Sequence, residues 1–127
     1  MGDADTADRE VLSEPSFVYR AKFIKNYDGD TVTLLVDVGF NVFRRINVRV
    51  RGVDTAEMRG GTESTKALAR DAKGFTAAFL EGAESIIVRT AKDPKRSFTR
   101  WVGDIFADGE SLAEALIAAK KGIRIEG

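Results

Sequence analysis

Alternating apolar and polar residues in three consecutive segments, 17–23, 31–38 and 42–51, most constrain how this chain can fold. A repeat of two residues predicts β-strands that bury one face. The connections are short, because residues 26–30 join the first two segments and residues 39–41 join the second and third. The first connection contains Asp-Gly, which tolerates the positive φ angles of a tight hairpin. The sequence therefore predicts three strands linked by turns.

The apolar repeat becomes helical after the third strand. Thr62 or Ser64 can cap the start of a helix that Gly82 ends. The predicted buried stripe of this helix consists of Leu68, Ala72, Phe75 and Phe79. Its spacing therefore predicts that the helix packs against the strands through that stripe.

Two more strands and a second helix are predicted in the last third of the chain. The strands cover residues 85–90 and 98–107. The run from Ser111 to Glu114 matches a capping box and begins a helix that Gly122 ends. Three strands, a helix and two strands are the sequence order of an OB-fold. The predicted fold class is therefore α+β and mainly β, a five-stranded OB-like barrel with two helices.

The chain has the length of one domain, 127 residues. Residues 1–16 have no hydrophobic repeat and are rich in acidic side chains, so we expect a disordered leader before a domain at 17–127. No apolar run is long enough to cross a membrane, and the acidic start differs from a secretion signal. These features predict a cytoplasmic protein without a membrane partner, and they leave its oligomeric state open.

Composition restricts the available chemistry. The chain contains no cysteine and no histidine, which excludes disulfides, thiolate metal sites and histidine bases. Catalysis would then depend on carboxylates, Lys, Arg, Tyr or a hard metal ion held by oxygen atoms. Lysine plus arginine equals aspartate plus glutamate at 20 each, so only a local basic patch could attract nucleic acid.

Two short acidic segments could provide oxygen ligands for such an ion. Asp28 and Asp30 flank Gly29 at the predicted hairpin tip, while Asp54 and Glu57 follow the third strand. Carboxylate oxygens are the ligands that hard divalent cations prefer. An Asp-Gly-Asp segment is also a common turn, because aspartate hydrogen-bonds its own backbone. Taken alone, the segment favours the turn.

Arginines form the second group of candidates. Arg45, Arg49 and Arg51 share one face of the third strand, and Arg100 follows a basic loop. The planar guanidinium group matches phosphate oxygens and keeps its charge, so a pair could neutralise a phosphoryl transition state. The alternative is an ordinary solvated strand face.

Three motifs taken together resemble the staphylococcal nuclease family. They are Tyr-Asp-Gly-Asp-Thr-Val at residues 27–32, Arg-Val-Arg-Gly-Val-Asp-Thr-Ala-Glu at 49–57, and Arg100 followed by Ile-Phe-Ala-Asp-Gly at 105–109. Their order and spacing are close to those of the family, and the resemblance covers roughly residues 19–122. It implies an OB-like barrel that cleaves nucleic acid.

The resemblance implies a role for each matching residue. Asp30, Asp54 and the carbonyl group of Thr55 would bind Ca²⁺. Glu57 would orient or deprotonate the attacking water, and Arg49 and Arg100 would hold the scissile phosphate. The implied activity is Ca²⁺-dependent hydrolysis of DNA or RNA, with preference for single strands and 3′-phosphate products. The alternative is a non-catalytic OB-type module that binds nucleic acid or a protein, and a purely structural role is a third hypothesis.

The chain departs from the family pattern around the substrate. Ala56 replaces the usual proline, which loosens the loop before Glu57. Ser-Phe-Thr at residues 97–99 replaces Lys-Tyr-Gly, and we expect no counterpart of the family's C-terminal tyrosines and third helix within residues 1–127. We therefore expect substrate binding to be weaker or differently arranged, unless the basic loop or a second subunit compensates. The candidate contacts are Phe98 and, in the basic loop, Lys95 and Arg96. The other aromatic residues that could stack on bases or fill the barrel core are Phe40, Phe43 and Trp101.

Overall fold

Eight strands and two helices make up the described part of the chain. A computed structural model describes residues 17–91 and 101–126. The elements in chain order are β1 (Val18–Asp28), β2 (Thr31–Asp37), β3 (Phe43–Val50), β4 (Val53–Asp54), α1 (Glu63–Glu81), β5 (Ile86–Ala91), β6 (Trp101–Ala107), β7 (Glu110–Ser111), α2 (Leu112–Ala118) and β8 (Ile123–Arg124).

Five of the strands close into a barrel. The hydrogen-bonded order is β3-β2-β1-β5-β6, and parallel pairing of β3 with β6 completes the ring. Gly103 lies at this junction, where an added Cβ atom would be 2.9 Å from the carbonyl oxygen of Arg89. A side chain at this position would therefore push β5 and β6 apart. The predicted five-stranded OB-like barrel with two helices is confirmed.

The barrel core is aliphatic, as the strand alternation predicts. Both helices contribute to it, and its largest fully buried apolar side chains are Val32, Leu34, Val48, Val50, Val53, Leu80, Val88, Ile105, Leu112 and Leu116. The predicted faces of the second and third strands extend too far, however. Val38 is 37% exposed and Val42 is 51% exposed, because β2 ends at Asp37 and the connection to β3 projects beyond the barrel.

Helix α1 begins and ends where its caps predict, and most of its predicted stripe faces the barrel. Ala72 is buried, and Phe75 and Phe79 pack against the core. Thr62 is the N-cap and Gly82 the C-cap, but Leu68 is 61% exposed. The side chains that α1 buries are Ala69, Ala72, Thr76 and Leu80. Small residues on this face allow the helix to approach the β1–β2 turn closely, and this contact sets the rotation of the helix.

The C-terminal segment supports the loop that follows β3. Helix α2 starts after the N-cap Ser111 and ends at Ala118, earlier than the predicted end at Gly122. The chain then turns, and β8 pairs antiparallel with β4 at Val53 and Asp54. Within residues 17–91 and 101–126, neither helix is both long and apolar enough to cross a membrane.

Candidate functional site

Asp30 sits at the tip of the β1–β2 hairpin and is only 4% exposed. Its Oδ2 atom accepts a hydrogen bond from the backbone N–H of Thr55 at 3.0 Å and lies 3.2 Å from Nη2 of Arg49. The Oδ1 atom accepts from the Thr31 hydroxyl group at 3.2 Å. A carboxylate that is needed only for turn geometry would bond locally and stay in solvent. Asp30 instead joins its turn to two distant segments.

Helix α1 fixes the position of this turn. The hydroxyl group of Thr76 donates to the carbonyl oxygen of Gly29 at 2.6 Å. The amide group of Asn26 donates to the carbonyl oxygen of Lys73 at 2.9 Å. Gly29 has no space for a side chain, because an added Cβ atom would lie 2.9 Å from Cβ of Ala72. The turn therefore rests directly on the helix backbone.

Arg49 connects the end of β3 with the loop that follows. Its Nη1 atom donates to the carbonyl oxygens of Val50 at 2.7 Å and Val53 at 2.8 Å. Its Nη2 atom lies 3.2 Å from Oδ2 of Asp30 and 3.2 Å from Oδ1 of Asp54. The side chain is 20% exposed, unlike that of a solvated strand face. The guanidinium group is thus held in one orientation by four oxygen atoms.

The loop after β3 brings Asp54 and Thr55 to this cluster. The Asp54 side chain is 50% exposed, whereas Thr55 is buried beneath it. Gly122 packs against the loop, since an added Cβ atom there would be 3.1 Å from the carbonyl oxygen of Asp54. The Thr55 hydroxyl group is buried, and no hydrogen-bond partner for it occurs in the described part of the chain. Packing of the backbone therefore sets the position of this loop.

The remaining predicted site residues are not part of the cluster. Glu57 is exposed, and among the described residues it forms neither a hydrogen bond nor an ion pair. The other predictions concern residues that lie outside the described ranges, namely Arg100, Lys95, Arg96 and Phe98. The structure thus brings together Asp30, Arg49, Asp54 and Thr55 from the predicted set.

The donor atoms at this cluster suit a hard cation. Oδ2 of Asp30 and Oδ1 of Asp54 lie 3.2 Å from one nitrogen of Arg49, so these oxygens are separated by at most twice that distance. Ca²⁺ takes about six to eight oxygen ligands, and a protein with two carboxylates and a carbonyl group can leave the rest to water. Three or more acidic side chains do not form a metal-binding group anywhere in 17–91 and 101–126. Two carboxylates are therefore the acidic contribution to any ion here.

Arg51 belongs to a different interaction, which the sequence did not reveal. Its Nη2 atom lies 2.6 Å from Oδ2 of Asp104, and Nη2 of Arg89 lies 2.9 Å from the same oxygen. Asp104 on β6 thereby bonds to β5 and to the residue that follows β3, next to the junction that closes the barrel. Single-sequence alternation places Asp104 on a strand face but cannot identify partners that are 15 and 53 residues away.

The aromatic candidates are all outside the barrel core. Phe40 is 100% exposed, Phe43 is 55% exposed and Trp101 is 49% exposed. Trp101 and Tyr19 line a mostly apolar pocket of about 390 Å³, to which the end of β2, the start of β3 and the end of β5 also contribute. Asp30 and Arg49 lie at the opposite ends of β2 and β3. Core packing is therefore excluded for all three aromatic side chains.

Comparison with models of known protein families gave no match, and comparison with curated proteins gave none either.

Proposed function

We propose that this chain is a Ca²⁺-dependent nuclease of the staphylococcal nuclease type. It would hydrolyse phosphodiester bonds in single-stranded DNA or RNA and leave 3′-phosphate ends. The observation that carries the proposal is the convergence of Asp30, Arg49 and Asp54, because three separate segments meet at one nitrogen atom of Arg49. A structural ion pair needs one carboxylate for each arginine. A site that binds both a cation and a phosphate needs more than one carboxylate together with a positively charged group.

The charges of the cluster favour a metal-dependent reaction. Two carboxylates face one guanidinium group, so the cluster as it stands has an excess of negative charge. A phosphate diester is itself an anion and would be repelled. A divalent cation held by Asp30, Asp54 and the Thr55 carbonyl group would reverse the sign of the local charge. Phosphate binding at this position therefore requires the cation as well as the arginine.

Each residue has a chemical task in the proposed reaction. When bound, Ca²⁺ would polarise a phosphate oxygen and offset charge. Arg49 would stabilise the negative charge that develops on the phosphoryl oxygens, and its four contacts already restrict its orientation. Glu57 would orient or deprotonate water, which can reach its exposed carboxylate. Arg100 is the second proposed phosphate ligand.

Cleavage of fluorescently labelled single-stranded DNA tests the proposal. The assay compares Ca²⁺ with chelator and compares Asp30→Asn, Glu57→Gln and Arg100→Gln with the parent chain. We expect no products in chelator and a rate reduction of at least ~10²-fold in each variant, as for loss of a base or a charge-stabilising donor. Glu81→Gln and Arg70→Gln are matched controls on the exposed surface of α1 and should remain near the parent rate.

Two outcomes would contradict the nuclease proposal. Cleavage that persists in chelator would show that the reaction does not require a metal ion. Cleavage that is equally fast in the site variants and in the controls assigns it to another site or to a contaminant. Binding of single-stranded DNA without cleavage under any metal condition would instead support the alternative of a non-catalytic nucleic-acid-binding module.

A further inference from the structure

The outer surface of β1, β2 and β3 is rich in basic residues. We call it the basic face and define it by the exposed side chains Arg20, Lys22, Lys25, Arg45 and Phe43. Strand alternation directs Arg20 and Lys22 away from the core, because Tyr19, Ala21 and Phe23 pack against it. A register shift between Phe23 and Lys25 places Lys25 opposite Thr33 and so on the same outer side. Part of this surface is a shallow groove of about 410 Å³. The basic face is thus separate from the barrel interior.

The strand register arranges these residues in rows that lead to the candidate site. The rows across β1, β2 and β3 are Arg20-Asp37-Phe43, Lys22-Leu35-Arg45, Lys25-Thr33-Asn47 and Asp28-Thr31-Arg49. A hydrogen bond of 2.7 Å from the Thr33 hydroxyl group to Oδ1 of Asn47 confirms that the third row shares one surface. From Phe43 to Arg49 these rows extend over about 20 Å, at about 3.3 Å per residue, and we call this path along β3 the track.

The electrostatics of the basic face are suitable for a polyanion. The chain has no net charge, so attraction must come from a local surface. The four rows contain two carboxylates, Asp37 at one end and Asp28 at the other. Oδ1 of Asp37 accepts a hydrogen bond from the N–H of Gly39, and Oδ1 of Asp28 accepts one from the N–H of Met58 at 2.9 Å. Within the described residues, Arg20, Lys22, Lys25 and Arg45 form no ion pair. Their charges are therefore available to a ligand.

We propose that the basic face binds an extended segment of single-stranded nucleic acid that continues from the candidate site. The proposal rests on the proposed function, which places the scissile phosphate beside Arg49 at one end of the track. Phosphate groups would pair with the basic side chains, while a base would stack on the half-exposed ring of Phe43. Such a combination of basic groove and aromatic surface is typical of proteins that bind single strands with little sequence preference.

Fluorescence anisotropy with labelled oligothymidylate of ~12 nucleotides tests the basic face without cleavage, because the titration is done in chelator. The Lys22→Gln/Arg45→Gln double variant should bind about 25-fold more weakly at 0.1 M salt, since each lost phosphate contact removes a factor of about 5. The slope of log affinity against log salt should decrease by about 1.4. The control double variant, Lys66→Gln/Arg70→Gln on α1, should keep the affinity and the salt dependence of the parent chain.

A second variant distinguishes nucleic acid from polyanions in general. Phe43→Ala should weaken oligothymidylate binding about tenfold through loss of stacking and leave competition by inorganic polyphosphate unchanged. If Phe43→Ala has no effect, or if both double variants lose affinity equally, the proposed single-strand track is wrong. Equal effects on duplex DNA and single strands would also overturn it, in favour of a general polyanion surface.

Cleavage assays separate this proposal from the nuclease itself. In Ca²⁺, the Lys22→Gln/Arg45→Gln variant should show a raised KM and an unchanged kcat for long single strands, whereas a dinucleotide should be cleaved as by the parent chain. Normal binding along the basic face by a chain that cleaves nothing would refute the nuclease and retain the track. Normal cleavage of long single strands with a KM that the double variant does not change would refute binding along the basic face and leave the nuclease proposal standing.

Discussion

Thr76→Val tests whether a single buried hydrogen bond holds the β1–β2 turn on helix α1. Thr76 is fully buried, and its hydroxyl group donates to the carbonyl oxygen of Gly29 at 2.6 Å. Valine has nearly the same shape and replaces this hydroxyl group with a methyl group. The substitution therefore leaves the packing almost unchanged and removes the donor from a buried carbonyl group.

The structure gives an estimate of the cost. A buried acceptor without its partner costs about 1–3 kcal/mol, so we expect the free energy of unfolding to decrease by about 2 kcal/mol. For a domain of this size that decrease lowers Tm by about 8 °C. It lowers the urea midpoint by about 1 M if the m value stays near 2 kcal/mol/M. Because the turn carries Asp30, the same change should loosen the candidate site.

Thr76→Ser is the matched control, because it keeps the hydroxyl group and removes one methyl group. That loss costs about 1 kcal/mol in a packed interior. The hydrogen bond therefore predicts that the parent chain is most stable, the serine variant less stable and the valine variant least stable, whereas burial of apolar surface alone predicts that the valine variant exceeds the serine variant. Urea unfolding can be monitored by fluorescence of Trp101, the only tryptophan of the chain. If the valine variant equals or exceeds the serine variant in stability, the reasoning about this turn is refuted.

Three further predictions concern other positions. Gly29→Ala should cost about 1–3 kcal/mol, because the new Cβ atom would meet Cβ of Ala72 at 2.9 Å; Ala72→Gly should restore part of the loss in urea unfolding. Asp104→Asn should cost about 2 kcal/mol in the same assay by weakening charged hydrogen bonds to two arginines, and an unchanged midpoint would show that these bonds do not stabilise the barrel. Phe40→Asn should raise Tm by a few degrees, because Phe40 is fully exposed at φ 55°, a conformation that asparagine tolerates better; a lower Tm would exclude this explanation.

The barrel could be predicted from the sequence because local patterns determine most of it. Val32, Leu34 and Val36 recur at every second position, and the adjacent Asp-Gly segment forms the predicted turn. Its residues 28–30 have no positive φ angle, however, and Gly29 is needed for the close contact with Ala72. Thr62 and Gly82 mark the helix ends because capping depends on neighbouring residues. Each of these signals is contained within a few residues and agrees with the global fold.

The predictions of burial made from the sequence are wrong where a distant contact determines the exposure of a side chain. Leu68 continues the helical stripe of apolar residues but is exposed, whereas Thr76, which lies outside that stripe, is buried and donates to the carbonyl oxygen of Gly29 in the β1–β2 turn. Val38 and Val42 continue the alternation after the barrel has ended. Periodicity gives the direction of a side chain relative to its own element, and it does not show where the neighbouring element stops.

The candidate site could be predicted only in part. The resemblance identified Asp30, Arg49, Asp54 and Thr55, which the structure brings together, although their catalytic and metal-binding roles stay predictions. Residues that support them, such as Thr76, could not be found from one sequence, because a buried threonine in a helix matches no motif. Its partner carbonyl group is 47 residues away, and only the folded chain reveals the contact.

The candidate site combines a fixed backbone with exchangeable charges. Its backbone is held by the hydrogen bonds of Thr76 to Gly29 and of the Val50 N–H to the Asp30 carbonyl oxygen at 2.8 Å. The Arg49 charge, in contrast, is offset by side chains that a cation and a phosphate could replace as partners. Ligand binding should therefore redistribute ion pairs around Arg49 and change the backbone little. An environment that is organised before the ligand arrives is the condition under which electrostatic stabilisation is most effective.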